Sequence, residues 1–93
     1  MNININTGEA VIKGKKFYLT RNEVYLLAEL NKPGIRTYVD LYNAVYKTNV
    51  NELFPSEVRK INMQIHRLKE KTKIKLIGRR QFGYELIKGE NEW

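Results

Sequence analysis

Residues 55–72, PSEVRKINMQIHRLKEKT, read as one amphipathic helix. Val58, Ile61, Ile65 and Leu68 fall at i, i+3, i+7 and i+10, and at about 100° per residue they share one narrow stripe that must face a core. Ser56, Arg59, Lys60, Met63, Arg67 and Lys71 lie around the opposite side. A solvated helix face usually interleaves both signs of charge and has no need of a methionine at its centre. This one carries a single acid, Glu70, beyond its first turn. Pro55 suits the first turn, where a missing N–H costs nothing.

The net charge of the 93-residue chain is +7, and its placement says more than its size. From Arg59 to Arg80 there are nine basic residues against one acid, so this segment carries +8 and everything else sums to −1. A basic excess confined to one helix and the segment after it points to a surface for a polyanion. The plainer alternative is a solvated face of Lys and Arg.

The length allows one small domain, spanning residues 1–93, and a hydrophobic fraction of 42% is enough for one core. The absence of cysteine excludes a disulfide scaffold and thiolate metal sites, and fits a reducing compartment. The start, MNININTGEA, has neither a basic nor an apolar leader region, and no apolar run approaches membrane-spanning length. A soluble cytoplasmic protein with no membrane partner is expected. Lys outnumbers Arg eleven to six among abundant Asn and Ile, a composition that fits an AT-rich genome. One His, one Asp (Asp40), no Gly-rich phosphate loop and no suitably spaced carboxylate pair leave little from which to build an enzyme. No metal or other cofactor is expected, since a lone His66 cannot make a zinc site unaided.

Toward the N-terminus, Ile3 and Ile5 alternate with Asn, and Ala10–Ile12 lead through Lys13-Gly14 into Phe17–Leu19. This predicts a small antiparallel sheet with Gly14 in a tight turn. Thr20 followed by Glu23 is a capping box, so helix 1 is predicted over about 21 to 31, ended by Pro33-Gly34. Thr37 with Asp40 opens helix 2, over about 38 to 47, with Val39, Tyr42, Val45 and Tyr46 on one side and Leu41 flanking it. Thr48 to Phe54 is predicted to be a loop, with Leu53 and Phe54 tucked into the core. Downstream of helix 3, Ile74 and Leu76 alternate with Lys73 and Lys75, and Tyr84 and Leu86 flank Glu85. Each reads as a strand with one buried face, joined by a turn over 79–83. The polar tail, residues 88–93, is expected to fray unless Trp93 packs back. The order is small sheet, three helices, hairpin: an α+β, winged helix-turn-helix layout.

Leu19-Thr20-x-x-Glu23-Val24-x-Leu26-Leu27-x-x-Leu30, Pro33-Gly34, Ile61-Asn62-x-x-Ile65-x-Arg67-Leu68-Lys69 and Arg80-x-x-Gly83-Tyr84-x-Leu86 together resemble the OmpR/PhoB-type effector domain of bacterial response regulators. The resemblance runs from about residue 3 to 87 and implies a sequence-specific double-stranded DNA-binding transcription regulator. Helix 55–72 would enter the major groove and the wing, 74–87, an adjacent minor groove. Position by position, Lys60, Asn62, Met63 and Arg67 match residues that approach base edges. Arg59, Gln64, His66 and Lys69 match backbone-contacting positions, and Arg80 matches the arginine of the wing. Further partners implied by the resemblance are a second copy in tandem on repeated half-sites and RNA polymerase, which some members touch through the segment between helices 2 and 3.

This sequence also departs from the family pattern. Asn62 and Gln64 stand where the family often has Asp and His, Gln81 stands where glycine is usual, and Arg79 replaces an apolar residue. The segment between helices 2 and 3 is somewhat longer. In the family a phosphorylatable receiver domain normally precedes this module; this sequence holds none, so either a separated effector domain or a stand-alone regulator is expected.

The residue chemistry agrees with these roles. Arg67 can fork onto guanine O6 and N7, Asn62 can pair with adenine, and Met63 can meet a thymine methyl. Arg59, Lys69, Lys71 and Lys73 would set affinity and salt dependence through phosphates. Arg79 and Arg80 at a hairpin tip suit a narrow, AT-rich minor groove. A winged-helix module that binds RNA or an acidic protein is the competing reading, although a rigid helix suits the major groove of B-DNA and not the deep one of A-form RNA.

Overall fold

The computed structural model describes residues 1–79 and 81–87. Arg80 and the tail at 88–93, and with them the expectations placed on both, lie outside the described residues. Over the described residues the chain is a small α+β protein with three helices and two three-stranded antiparallel sheets.

The first sheet has strands β1 (Asn2–Asn4), β2 (Glu9–Ile12) and β3 (Lys15–Tyr18), in that order. Lys13 and Gly14 connect β2 to β3 at φ 52° and 79°. Positive φ at both central positions matches the right-handed twist of the strands, as two-residue hairpins require. Ala10 and Ile12 turn inward from β2.

Helix α1 spans Arg21–Leu30 and opens with the expected capping box. The Thr20 N–H donates to Glu23 Oε1 at 2.8 Å, and the Glu23 N–H donates to Thr20 Oγ1 at 3.3 Å. Helix α2, Tyr38–Tyr46, repeats the device with Thr37 and Asp40, both bonds being 3.1 Å. Arg36 braces the turn between them, its guanidinium lying 3.2 Å from Glu29 and 3.4 Å from Asp40. In α2 the fully buried residue is Leu41, with Val45 nearly so, whereas Tyr42 and Tyr46 are half-buried. Leu41 therefore sits at the centre of the inner face and not on its flank as the spacing suggested.

Asn43 holds the segment after α2 in place. Its side chain accepts from the Val50 N–H at 3.0 Å and the Thr48 hydroxyl at 2.7 Å, and donates to the Val50 carbonyl at 3.0 Å. Of the two residues expected to tuck inward here, Leu53 is half-buried and Phe54 is 74% exposed. Phe54 occupies the N-cap of the next helix, and its backbone direction there is set by the cap, which leaves the ring outside.

Helix α3 spans Pro55–Thr72, the predicted bounds. Ile61, Ile65, Leu68 and Thr72 are buried, Val58 half so. Ile61, Ile65 and Leu68 close a core with Val24, Leu26, Leu27 and Leu30 of α1, Leu41 and Val45 of α2, and Ala10, Ile12, Leu19, Ile74 and Leu86.

The second sheet joins strands β5 (Leu76–Arg79) and β6 (Gly83–Leu86) to a short strand, β4 (Arg36–Thr37), in the order β4-β6-β5. The first hairpin strand thus starts two residues later than predicted: Ile74 is buried but precedes it. β4 has no signal in the sequence, since two residues before a cap show no alternation. It pairs Arg36 with Tyr84 and Thr37 with Gly83, and the Tyr38 N–H donates to the Phe82 carbonyl at 2.9 Å. The hairpin is thereby anchored to the start of α2.

That anchoring explains Gly83. A Cβ there would fall 1.9 Å from the Arg36 carbonyl oxygen and 2.8 Å from Thr37 Cα, so no side chain fits between β6 and β4. Because both obstacles are backbone, Gly83→Ala is expected to cost about 3 kcal/mol. The corresponding fall in thermal midpoint is on the order of 15 °C; a fall of only a few degrees would show that β4 can part from β6 cheaply.

Glu23 yields a second prediction. Burial pushes its carboxyl up, but the Thr20 N–H, the Lys71 ammonium at 3.1 Å and the Thr20 hydroxyl outweigh burial, so it titrates below its ordinary 4.5. A folded-state value below the unfolded one stabilises at neutral pH and loses that contribution as pH falls through the folded value. Glu23→Gln is therefore expected to cost about 1 kcal/mol at pH 7. In denaturant titrations the gap from the parent chain should shrink below pH 4.5, and a gap independent of pH would refute the account.

Candidate nucleic-acid interface

With the Ile61–Ile65–Leu68 stripe inward, helical geometry turns Met63 directly outward, with Ser56, Arg59, Lys60, Arg67, His66 and Glu70 around it. The structure agrees: Met63 is 56% exposed, and the other six are exposed as well. No other part of the described chain covers this face. Lys69, Lys71, Lys73 and Lys75 continue the exposed basic series toward β5.

The acids decide which of these charges remain uncompensated. Lys71 is tied to Glu23 at the start of α1, and His66 Nε2 lies 3.1 Å from Glu70 one turn along the helix. Arg79 Nη2 lies 2.7 Å from Glu85 on the neighbouring strand. Among the described residues, no carboxylate forms an ion pair with Arg59, Lys60, Arg67, Lys69, Lys73 or Lys75. Lys60 still acts on the Glu57 carboxyl one turn back; the other five cations are uncompensated and lie on α3 and the connection that follows it.

They divide between two flanks. Lys69, Lys73 and Lys75 gather with His66 and Glu70 around Ile74, in a shallow groove where α3 passes into the hairpin. Arg67 lies across the helix, lining a recess with Gln64 and with Thr20, Asn22 and Glu23 at the start of α1. Met63 and Arg59 lie between the two groups.

Two expected contact residues are turned away from this face. The Tyr84 hydroxyl donates to Asn62 Oδ1 at 2.6 Å, and Gln64 Nε2 donates to the Tyr46 hydroxyl at 2.7 Å. Both side chains are half-buried. Pairing with adenine uses both the oxygen and the nitrogen of an asparagine amide, and the Tyr84 bond occupies one lone pair of that oxygen and holds the half-buried side chain toward β6. Gln64 faces α2, not a phosphate backbone. The signal for these bonds is present in the sequence, though indirect. A tyrosine beside a core buries its ring and still needs a partner for its hydroxyl, and positions 62 and 64 are uncharged polar ones bordering the stripe.

The ends of α3 are secured separately. At its N-terminus the Phe54 N–H donates to Glu57 Oε1 at 2.8 Å. That backbone bond, with the Tyr42 hydroxyl, holds the Glu57 carboxyl below its ordinary range, and Glu57 in turn pushes the Tyr42 hydroxyl up. At the C-terminus Lys73 takes the left-handed conformation at φ 59°, and its N–H donates to the Lys69 carbonyl at 2.8 Å. This turn directs the chain into β5.

At the hairpin tip Gln81 has φ 68°, a conformation that glycine adopts without strain and most other residues do not. Phe82 beside it is 65% exposed. No group of three or more metal-ligating side chains occurs among the described residues, and no helix there is long and apolar enough to cross a membrane.

Comparison with known protein families, with curated proteins and with solved structures finds no match to this chain.

Proposed function

We propose that this chain is a winged helix-turn-helix protein of the OmpR/PhoB type that binds double-stranded DNA in a sequence-dependent way and regulates transcription. In this reading α3 lies in the major groove and the β5–β6 hairpin is the wing at the neighbouring minor groove. The observation that carries it is the outer face of α3: Arg59 and Arg67 around exposed Met63, neither paired to a described carboxylate, with Lys60 beside them.

The dimensions are compatible. An α-helix with its side chains is about 10–12 Å across, and the major groove of B-DNA is about 12 Å wide. Eighteen residues make α3, a rod about 27 Å long, enough to cross the groove with its ends at the phosphates. Arg67 and Met63 then face base edges, with Lys60 beside them. Arg59, Lys69 and Lys73 suit the phosphate walls, where point charges set affinity and not sequence.

Four expected contacts take a different weight. Asn62 is half-buried and bonded to Tyr84, and Gln64 contributes by holding the helix. Lys71 and Arg79 are each offset by a carboxylate, so they add less to affinity than their number suggests. The exposed cations favour a polyanion over an ordinary protein partner, and the protruding rigid helix favours duplex DNA over A-form RNA.

The test pairs two substitutions in electrophoretic or fluorescence binding assays over a salt series. Arg67→Ala is expected to narrow the difference between a selected and a scrambled duplex by about 1–3 kcal/mol. Lys69→Ala should weaken binding to both alike and lower the salt slope by about 0.9. Equal losses on every duplex for both variants would refute the assigned roles, and RNA duplexes competing as well as DNA would refute the choice of ligand.

A further inference from the structure

We infer that Tyr46 and Tyr84 act together as a clamp on the roll of α3 about its own axis, and that this clamp makes them positioning residues for the sequence selectivity of its outer face. The inference rests on the reading of α3 as a DNA-contacting helix.

The geometry is that of two side chains holding a rod from opposite flanks. Taking the buried stripe as reference, position 62 lies about 90° around the helix to one side and position 64 about 70° to the other. Tyr84, on β6, holds Asn62 at 2.6 Å; Tyr46, at the end of α2, holds Gln64 at 2.7 Å. A roll in either direction must stretch one of the two bonds. Packing of the branched aliphatic stripe against the leucines of α1 selects the buried face, but burial itself is non-directional and does not single out one roll angle within that face. A hydrogen bond is directional and weakens steeply outside a window of a few tenths of an ångström.

Both tyrosines are themselves fixed. The Tyr84 ring meets Tyr38 edge-to-face at 5.9 Å between centroids, and the Tyr46 ring lies 4.6 Å from that of Tyr42. The first contact ties the clamp to the hairpin and the start of α2, the second to the helix that precedes α3. The phenolic oxygens are thus anchored by elements other than the one they hold.

The consequence for binding follows from lever arms. A side-chain tip about 6 Å from the helix axis moves by about 1 Å for a roll of about 10°. That displacement is ruinous for a forked arginine–guanine pair, whose donor–acceptor distances must stay near 2.7–3.2 Å. It is harmless for lysines that meet phosphates as point charges. Loss of the clamp should therefore erode discrimination and spare affinity for arbitrary DNA, a pattern that general destabilisation does not produce.

The experiment uses the full chain, the variants Tyr46→Phe, Tyr84→Phe and their double, and Tyr18→Phe as an exposed control. A duplex is first selected from random sequence with the parent protein. Affinities for it and for a scrambled duplex are then measured over a salt series, and residual dipolar couplings of α3 amides against those of α1 report its orientation. The double variant is expected to lose about tenfold of the selected-to-scrambled ratio. Its scrambled-duplex affinity and salt slope should stay within about twofold of the parent. Couplings in α3 should shrink or shift relative to α1, and Tyr18→Phe should match the parent throughout. An unchanged ratio, or equal loss on both duplexes, overturns the inference. Failure of the parent chain to bind any duplex overturns instead the assignment of DNA as ligand, and unaltered α3 couplings in the double variant would then dispose of the clamp as well.

Discussion

The structure depends on burying one narrow stripe of α3. Ile61, Ile65 and Leu68 meet the leucines of α1 and Leu41 of α2, and each is buried almost completely. Removal of that apolar area from water is the largest favourable term available to so small a chain. It also has a geometric consequence. A helix inserted by one stripe presents the opposite side to solvent, so the position of three aliphatic residues dictates which cations protrude.

Electrostatics then sharpens what burial exposes. Acidic side chains elsewhere in the described chain serve caps, turns and strand pairs: Glu23 and Asp40 close capping boxes, Glu29 and Asp40 hold Arg36, and Glu85 holds Arg79. Arg36 and Arg79 are neutralised locally in this way, and Glu23 also holds Lys71. What remains uncompensated is concentrated on α3 and its exit, and the potential of such a patch reaches further than any single lysine would.

Aromatic residues link these two requirements. Tyr42, Tyr46 and Tyr84 lay their rings beside the core and direct their hydroxyls to Glu57, Gln64 and Asn62 of the same helix. Polar positions bordering the stripe are therefore neither free surface nor core. They are the seams at which α2 and β6 are fastened to α3, and this removes Asn62 and Gln64 from the exposed face where a helical wheel would leave them half-available.

Local patterns decided much of this protein. The bounds of α3, the two capping boxes, the Lys13-Gly14 turn and the exposure of Met63 and Arg67 all follow from residue spacing, because each depends on neighbours within one or two turns of chain. Contacts across the fold decided the rest. Strand β4 exists only because β6 lies beside it, Phe54 is outside because the cap of α3 directs the backbone there, and Leu41 outranks its neighbours because α1 and α3 converge on it. The pairing of Lys71 with Glu23, 48 residues away, has no local trace either. A sequence reports which side chains share a face; which of them find a partner from another element, and so cease to be available, is settled only when the elements pack.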